Sequence, residues 1–483
     1  MLEDAFLPPA VEPTGRSLRR RHGCEWRAAS WSPESLGALM AALADAGTPA
    51  AGTPAAGTPA AGTPAAGTPE LDAGEVASAW MAAVAELRDP ESPARRALDP
   101  PLARRTRLSP AGVAAGLEAV LGGVSGAPAS AVFEAAAEME RGGGPVVVFL
   151  ASNLPALAVQ PLLPAAALGR PVLLKSPSAE PLFAPAFLAA LCRREPRLRR
   201  SLAAVTWPGG ERELEAPVLE RASTVIAYGG AEAVRDLEAR AGGKLVAYGP
   251  KISVAAVSAG VGGADLDSVA AGLATDVALF DQRGCLSVQA VYVEGGEERA
   301  ADLADRLATA LHRRSMIWPL GEVEPGDVAA VRQLRTEAVM RGLHQPELEL
   351  RRGTVVVEPR PELRPSPGVR TVRVHPLPVL HRLPAILAPW RGRLQGAALA
   401  GGSAWALAPA LAELGVSRCA PPGELQSPDA SWHNGGVSPL EALAAGSPHL
   451  TGAEPATVIE HEAQSTISEG KNLDSSGTKI EDE

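Results

Sequence analysis

The sequence predicts an α/β protein: a doubly wound domain followed by a second α/β domain. Three observations carry this. First, apolar strand-like runs alternate with helical segments: VVVFL, PVLLK, AAVTW, TVIAYGG and KLVAYG each precede or follow a helix, an order that calls for a mainly parallel sheet covered on both faces. Second, a further strand, ISVAAVSAG, starts a new alternation through the helix AGLATDVALF to the strand SVQAVYVEG. Third, the chain has 483 residues, 46% hydrophobic and 21% charged, enough for more than one buried core.

The elements follow in order. Residues 1–45 form an N-terminal segment, and from Ala46 to Pro69 the unit AGTPA repeats in tandem. With proline and glycine in every unit, this stretch is expected to be a linker. Residues 70–252 hold a helical lead-in and the cofactor-binding domain. In the lead-in, VASAWMAAVAEL and SPAGVAAGLEAVLGGV have helical periodicity, with Ser109 placed to cap the second helix and Pro110 at its first position. The stretch from Gly142 to Gly169 carries no charge, but Pro155, Pro161 and Pro164 argue for a strand, a turn and a small-residue helix rather than a membrane span. Residues 253–395 are expected to form the catalytic domain, with helices ERAADLADRLATALHRR and PGDVAAVRQLRTEAVMRGL and strands TVVVEP and VRTVRV. Residues 396–448 form a C-terminal segment returning toward the first domain, and 449–483 an acidic tail expected to be disordered.

Charge and cysteine usage narrow the function. A net charge of −10 argues against nucleic acid and anionic membrane as partners and favours a small molecule. Cys24, Cys192, Cys285 and Cys419 are scattered without Cys-x-x-Cys spacing, which suits neither a zinc site nor a disulfide framework and fits a reducing cytoplasm. The start MLEDAFLPP lacks the pattern of an export signal. His381 and His433 stand outside any triad or ligand spacing, and no metal site is expected.

Cys285, in FDQRGCLS, follows a helical stretch and a glycine, where a loop can present its sulfur to an interdomain cleft as a nucleophile, or where it can pack as a small buried apolar side chain. Asn153 follows a buried strand and precedes a proline turn; its amide can donate to an oxyanion, or can serve the local backbone. Lys175 ends a strand where a nucleotide crevice opens, and Ser178 beyond it can bind a phosphate or cap the next helix. The Gly229-Gly230 pair closes a strand and opens a helix, a place where backbone can approach a cofactor phosphate, although no Gly-x-Gly-x-x-Gly is present.

Asn153, Pro155, Gly169, Lys175 and Pro177 occupy the places of the Asn-x-Pro turn, small-residue helix and Lys-x-Pro strand end of the aldehyde dehydrogenase superfamily, which the chain resembles. Within it, FDQRGCLSVQAVYVE, YGPKIS, LRPSPGVRTVRVHPL, WRGRLQGAAL and RCAPPGELQSPDASWHNGGVSPLEAL resemble LuxC-type fatty acyl-CoA reductases. The resemblance implies an oxidoreductase that uses NADPH to reduce a fatty acyl group, carried as a thioester on Cys285, to a fatty aldehyde. Asn153 and the Cys285 amide would hold the oxyanion, with Lys175, Ser178, Gly229 and Gly230 at the cofactor. It also implies fatty acyl-CoA as substrate and an acyl-protein synthetase and acyl-transferase as partners; a homo-oligomer is expected. Two departures stand out. Alanine, Ala247, aligns with the hydrolytic glutamate, and the Glu-x-x-Phe-x-Pro segment of many members has no counterpart. Alternatives are a short-chain CoA-acylating aldehyde dehydrogenase and a noncatalytic acyl-binding subunit.

Overall fold

The computed structural model of the chain describes residues 2–47 and 71–444. Most of the AGTPA stretch and the tail from 449 lie outside these residues. Ala46 and Gly47 close a helix spanning Pro33–Gly47.

The N-terminal segment is built around an antiparallel hairpin, β1 (Gly15–Arg21) and β2 (Cys24–Ser30). Ahead of it, Phe6 bridges to Ala204 on the rim of the first sheet. That sheet contains β3 (Val146–Phe149), β4 (Val172–Ser176), β5 (Leu202–Thr206), β6 (Thr224–Tyr228) and β7 (Leu245–Tyr248), in the order β5-β4-β3-β6-β7. All its pairings are parallel. Its central strands are buried along their length, so they read as unbroken apolar runs rather than alternating ones. One face packs against helices Ala73–Arg88, Pro110–Gly123, Val159–Ala167 and Phe183–Arg194. The other face packs against Leu36, Leu39, Met40 and Leu43 of the first helix and Val218 and Leu219 of a later one. Ser109 caps Pro110–Gly123 by accepting from the Gly112 amide. A helix at Pro93–Thr106, with Pro100 and Pro101 inside it, was not legible in the sequence.

The second sheet holds β8 (Ile252–Val257), β9 (Val288–Glu294), β10 (Thr354–Val357), β11 (Thr371–Leu377), β12 (Leu394–Ala400) and β13 (Arg418–Ala420), ordered β10-β11-β9-β8-β12-β13 and again all parallel. The division expected at 395/396 therefore falls inside β12. The small residues of GAALAG are buried because β12 lies between β8 and β13, not because the chain has left for the first domain. The return comes later. Pro428 runs against Gly123, and helix Pro439–Ala444 packs on Val159–Ala167.

β7 leads into β8 through only Gly249, Pro250 and Lys251. The carboxyl edge of the first sheet thus meets the amino edge of the second. In the first sheet the chain reverses its winding between β3 and β6, and at such a switch point the carboxyl ends leave a crevice. Among the described residues no single helix is long and apolar enough to cross a membrane.

Candidate active site

Asn153 stands on the turn after β3. Pro155 and Ala156 behind it are buried, and Ala156 takes a left-handed φ of 62° that swings the chain into helix Val159–Ala167. The Asn153 amide then reaches across 130 residues and donates to the carbonyl of Arg283, at 3.0 Å. Its side-chain oxygen is buried and without a partner among the described residues. Asn153 and the Cys285 loop, picked from distant parts of the sequence, are therefore brought together.

The cysteine loop is anchored residue by residue. Phe280 is buried in the core of the first domain, against Gly116. Asp281 pairs with Arg370 at 2.6 Å, and the Gln282 amide bonds the backbone of Val288 and Thr371. Arg283 turns back to donate to the Thr106 carbonyl at 2.6 Å. Gly284 has no room for a side chain, since a Cβ there would lie 2.5 Å from Gln426 Oε1. The Cys285 carbonyl accepts from the hydroxyl of Ser253, the second residue of β8, at 2.8 Å.

Cys285 itself is partly buried. Burial pushes its thiol up to about 11, opposed by the backbone N–H groups of Cys285 and Leu286 and by the charge of Lys251. Lys251 is pushed down by burial, with the Cys285 sulfur acting the other way. Among the described residues Cys285 is the cysteine with these neighbours; Cys192 and Cys419 are raised further, to about 12, by burial.

Around this pair lie residues that sequence reasoning left unassigned. Tyr228 and Tyr248 end adjacent strands in register and stack at 4.8 Å. The signal was present, since both strands end in Ala-Tyr-Gly. Tyr228 bonds Asn434, whose side-chain oxygen also accepts from Gln395 at 2.9 Å. Beside them a largely apolar hollow is lined by Leu163, Tyr228, Tyr248, Trp432 and Leu443. His381 is exposed, and at His433 it is the next residue, Asn434, that makes the contact.

The other predicted residues gather on the opposite face of the first sheet. Lys175 shares its face of β4 with Leu173, whose side chain packs in the core beneath the first helix. Lys175 is buried, lies 5.6 Å from the Trp207 ring centre and is pushed down to about 8 by desolvation. No hydrogen bond or ion pair reaches its ammonium among the described residues. Ser178 is exposed and donates to the Trp207 carbonyl at 3.1 Å, while Glu180 caps the next helix through the amides of Leu182 and Phe183. Gly229 and Gly230 lead into helix Ala231–Ala241, which has no side-chain cap, and a Cβ at Gly230 would meet open space. An unpaired cation, free N-terminal amides and open backbone suit the phosphates of a dinucleotide. Ala247, half-way along β7 and exposed, opens toward the same face as Leu245.

Comparison with known proteins places the fold and the family. The chain superposes on aldehyde dehydrogenase 21 from Physcomitrella patens (TM-score 0.68, 13% identity, 92% of this chain and 96% of that one). It also superposes on an NADP-dependent glyceraldehyde-3-phosphate dehydrogenase from Bacillus halodurans C-125 (TM-score 0.65, 12% identity, 87% and 90%). At these identities the likeness establishes the aldehyde dehydrogenase-like fold. In sequence it is 27% identical over 237 residues to the long-chain acyl-protein thioester reductase of Aliivibrio fischeri, covering 48% of each chain. It is 26% identical over 263 residues to long-chain acyl-protein thioester reductase 2 of Photobacterium leiognathi, covering 51% of this chain and 54% of that one. The chain spans about half the length of the curated relatives it matches. Residues 128–445, well over half of the chain, match the family described as acyl-CoA reductase (LuxC), from the Asn153 turn through Cys285 to Asn434. The chain belongs to the acyl-CoA reductase (LuxC) family.

Proposed function

We propose that this protein reduces a long-chain acyl thioester to an aldehyde with NADPH, through an acyl thioester on Cys285. The observation that supports it most is the hydrogen bond from the Asn153 amide to the carbonyl two residues before Cys285. The donor that stabilises an oxyanion and the sulfur that creates one then share a short stretch of backbone.

The steps follow from the residues. The acyl chain lies against Leu163, Trp432 and Leu443, which takes apolar surface out of water. Lys251 favours the thiolate of Cys285 as its proton leaves, and the sulfur attacks the acyl carbonyl. One amide proton of Asn153 holds Arg283; the other, with the Cys285 N–H, meets the oxyanion. The donor thiolate departs with a proton, leaving the acyl group on Cys285. Lys175, Gly229 and Gly230, with Ser178 at the mouth, would hold NADPH, which would supply the hydride when bound. Collapse of the thiohemiacetal on Cys285 releases aldehyde, and the sulfur regains a proton. With alanine at 247, no carboxylate activates water there, so the acyl-enzyme waits for hydride. The acyl group is delivered as fatty acyl-CoA or handed over by an acyl-protein synthetase or acyl-transferase.

The test is intact-mass analysis after loading with a long-chain acyl-CoA in the absence of NADPH. A single acyl adduct is expected, absent in Cys285→Ala and retained when Cys24, Cys192 or Cys419 is replaced. An adduct that persists in Cys285→Ala removes this cysteine from the reaction.

A further inference from the structure

The residues just before Cys285 break a local rule. Phe280, Asp281 and Gln282 have φ of 56°, 53° and 64°, a left-handed run of side-chain-bearing residues. Left-handed backbone is costly for any residue that bears a Cβ, so the run persists only if its surroundings over-determine it. A second left-handed pair, Val369 and Arg370 at 56° and 55°, lies directly against the first.

The contacts between them are dense. Arg370 is 1% exposed, and its Nε and Nη2 donate to Asp281 Oδ1 at 3.1 and 2.6 Å. The other Asp281 oxygen accepts from the Gly321 amide at 3.0 Å. Thr371, the next residue, donates its N–H to Gln282 Oε1 at 2.7 Å and accepts from Gln282 Nε2 at 2.8 Å. Beneath the pair, Gly353 has left-handed φ, and a Cβ there would lie 2.9 Å from the Arg370 carbonyl. Phe280 meanwhile is fixed in the first domain and Arg283 is bonded to Thr106. The left-handed run is thus the hinge-like step by which the chain leaves one domain's core, touches the other's, and returns before presenting Cys285.

We propose that Arg370 is a positioning residue for Cys285, acting through Asp281 to hold the left-handed turn that delivers the thiol to the cleft. This rests on the reading of Cys285 as nucleophile. Neutralising both partners together leaves no unpaired charge in the core, yet it frees residue 281 to leave the left-handed region if its side chain demands that. Arg370 touches neither acyl group nor cofactor in this scheme. Its effect is on where the sulfur stands.

The contrast that isolates this is glycine against alanine at position 281. Asp281→Ala/Arg370→Met and Asp281→Gly/Arg370→Met both remove the ion pair and leave no unpaired buried charge, and differ by one Cβ at a left-handed position. The readouts are the rate of Cys285 alkylation by iodoacetamide, followed by peptide mass, and single-turnover acylation by a long-chain acyl-CoA. The alanine double variant is expected to be slower in both by about tenfold relative to the glycine one, with the Kd for NADPH equal in the two. Equal rates overturn the proposal. If neither double variant folds, Arg370→Lys, which keeps the charge and loses the two-point grip, serves instead. A fall in Cys285 alkylation of at least fivefold with NADPH binding unchanged supports the proposal, and a smaller fall overturns it. Because alkylation needs no turnover, it judges the clamp even if Cys285→Ala were to retain activity and the nucleophile reading itself failed.

Discussion

Gly116→Ala is a perturbation far from the sulfur whose effect follows from where two loops touch. Gly116 is buried in the helix Pro110–Gly123, and a Cβ there would sit 2.6 Å from Phe280 Cε1 and 3.2 Å from Pro155 Cγ. Carbon atoms in good contact stand about 3.5–4.0 Å apart, so Phe280 must yield by about 1 Å. It has little freedom to do so: it is 3% exposed and its backbone is already left-handed. Pro155 on the other side belongs to the turn that carries Asn153. The methyl therefore pushes the Cys285 loop and the Asn153 turn apart at their shared support. In stability the two terms oppose each other. Alanine gains about 1 kcal/mol as a better helix former, and overpacking costs about 1–3 kcal/mol. The net is a loss of about 0–2 kcal/mol, a shift of a few degrees in Tm. In rate the terms do not cancel, because a 1 Å misplacement of reacting groups costs about 100-fold. We expect kcat to fall by about 10- to 100-fold, with the Kd for NADPH unchanged. Gly122→Ala on the same helix is the control, since its Cβ would meet nothing closer than 3.8 Å. The assay is NADPH consumption with a long-chain acyl-CoA, alongside thermal unfolding. A Gly116→Ala protein with kcat within twofold of the parent would show that Phe280 yields without moving Cys285, and the argument from the seam fails.

Asn153→Ala should cost about 100- to 1000-fold in kcat with little change in cofactor affinity; a loss under tenfold in steady-state NADPH consumption assigns Asn153 to holding Arg283 alone. The Cys285 thiol is raised to about 11, so its alkylation rate should climb as pH rises toward that value rather than level off near neutrality. Lys251→Met removes the cation that opposes the rise, so its profile should move to still higher pH; a coincident profile excludes Lys251 from the sulfur's environment. Ala247→Glu, with its carboxylate on the exposed face of β7 that also carries Leu245, should speed hydrolysis of the loaded acyl-enzyme in the absence of NADPH. Equal release of free fatty acid by parent and variant would show that position 247 does not govern access of water.

What the sequence revealed and what it concealed divide along one physical line. Parallel strands buried on both faces are continuous apolar runs, so VVVFL and PVLLK announce themselves, and Ser109-Pro110 marks a helix start by local chemistry alone. Asn153 and Cys285 were visible through the motifs around them. Their meeting through Arg283 spans 130 residues and belongs to topology. β12 was misplaced across the expected 395/396 division because a run of small residues fits beside any strand that needs a close neighbour, and nothing local says which. Arg370 was hidden for a deeper reason. It lies in a loop whose sequence, PSPGVRTV, reads as an ordinary turn, and its partner Asp281 is 89 residues away in a segment that local propensity would never make left-handed. Natural sequences agree with their folds at most levels, and the exceptions gather where function requires strain. Phe280, Asp281 and Gln282 disagree with local preference shortly before Cys285, and the residues that enforce the disagreement come from both domains. The Cys285 position is accordingly a property of the interdomain seam: Phe280 and Arg283 fix it to one sheet's domain, Asp281 and Gln282 to the other's, and a shift between the domains must move the sulfur relative to Asn153.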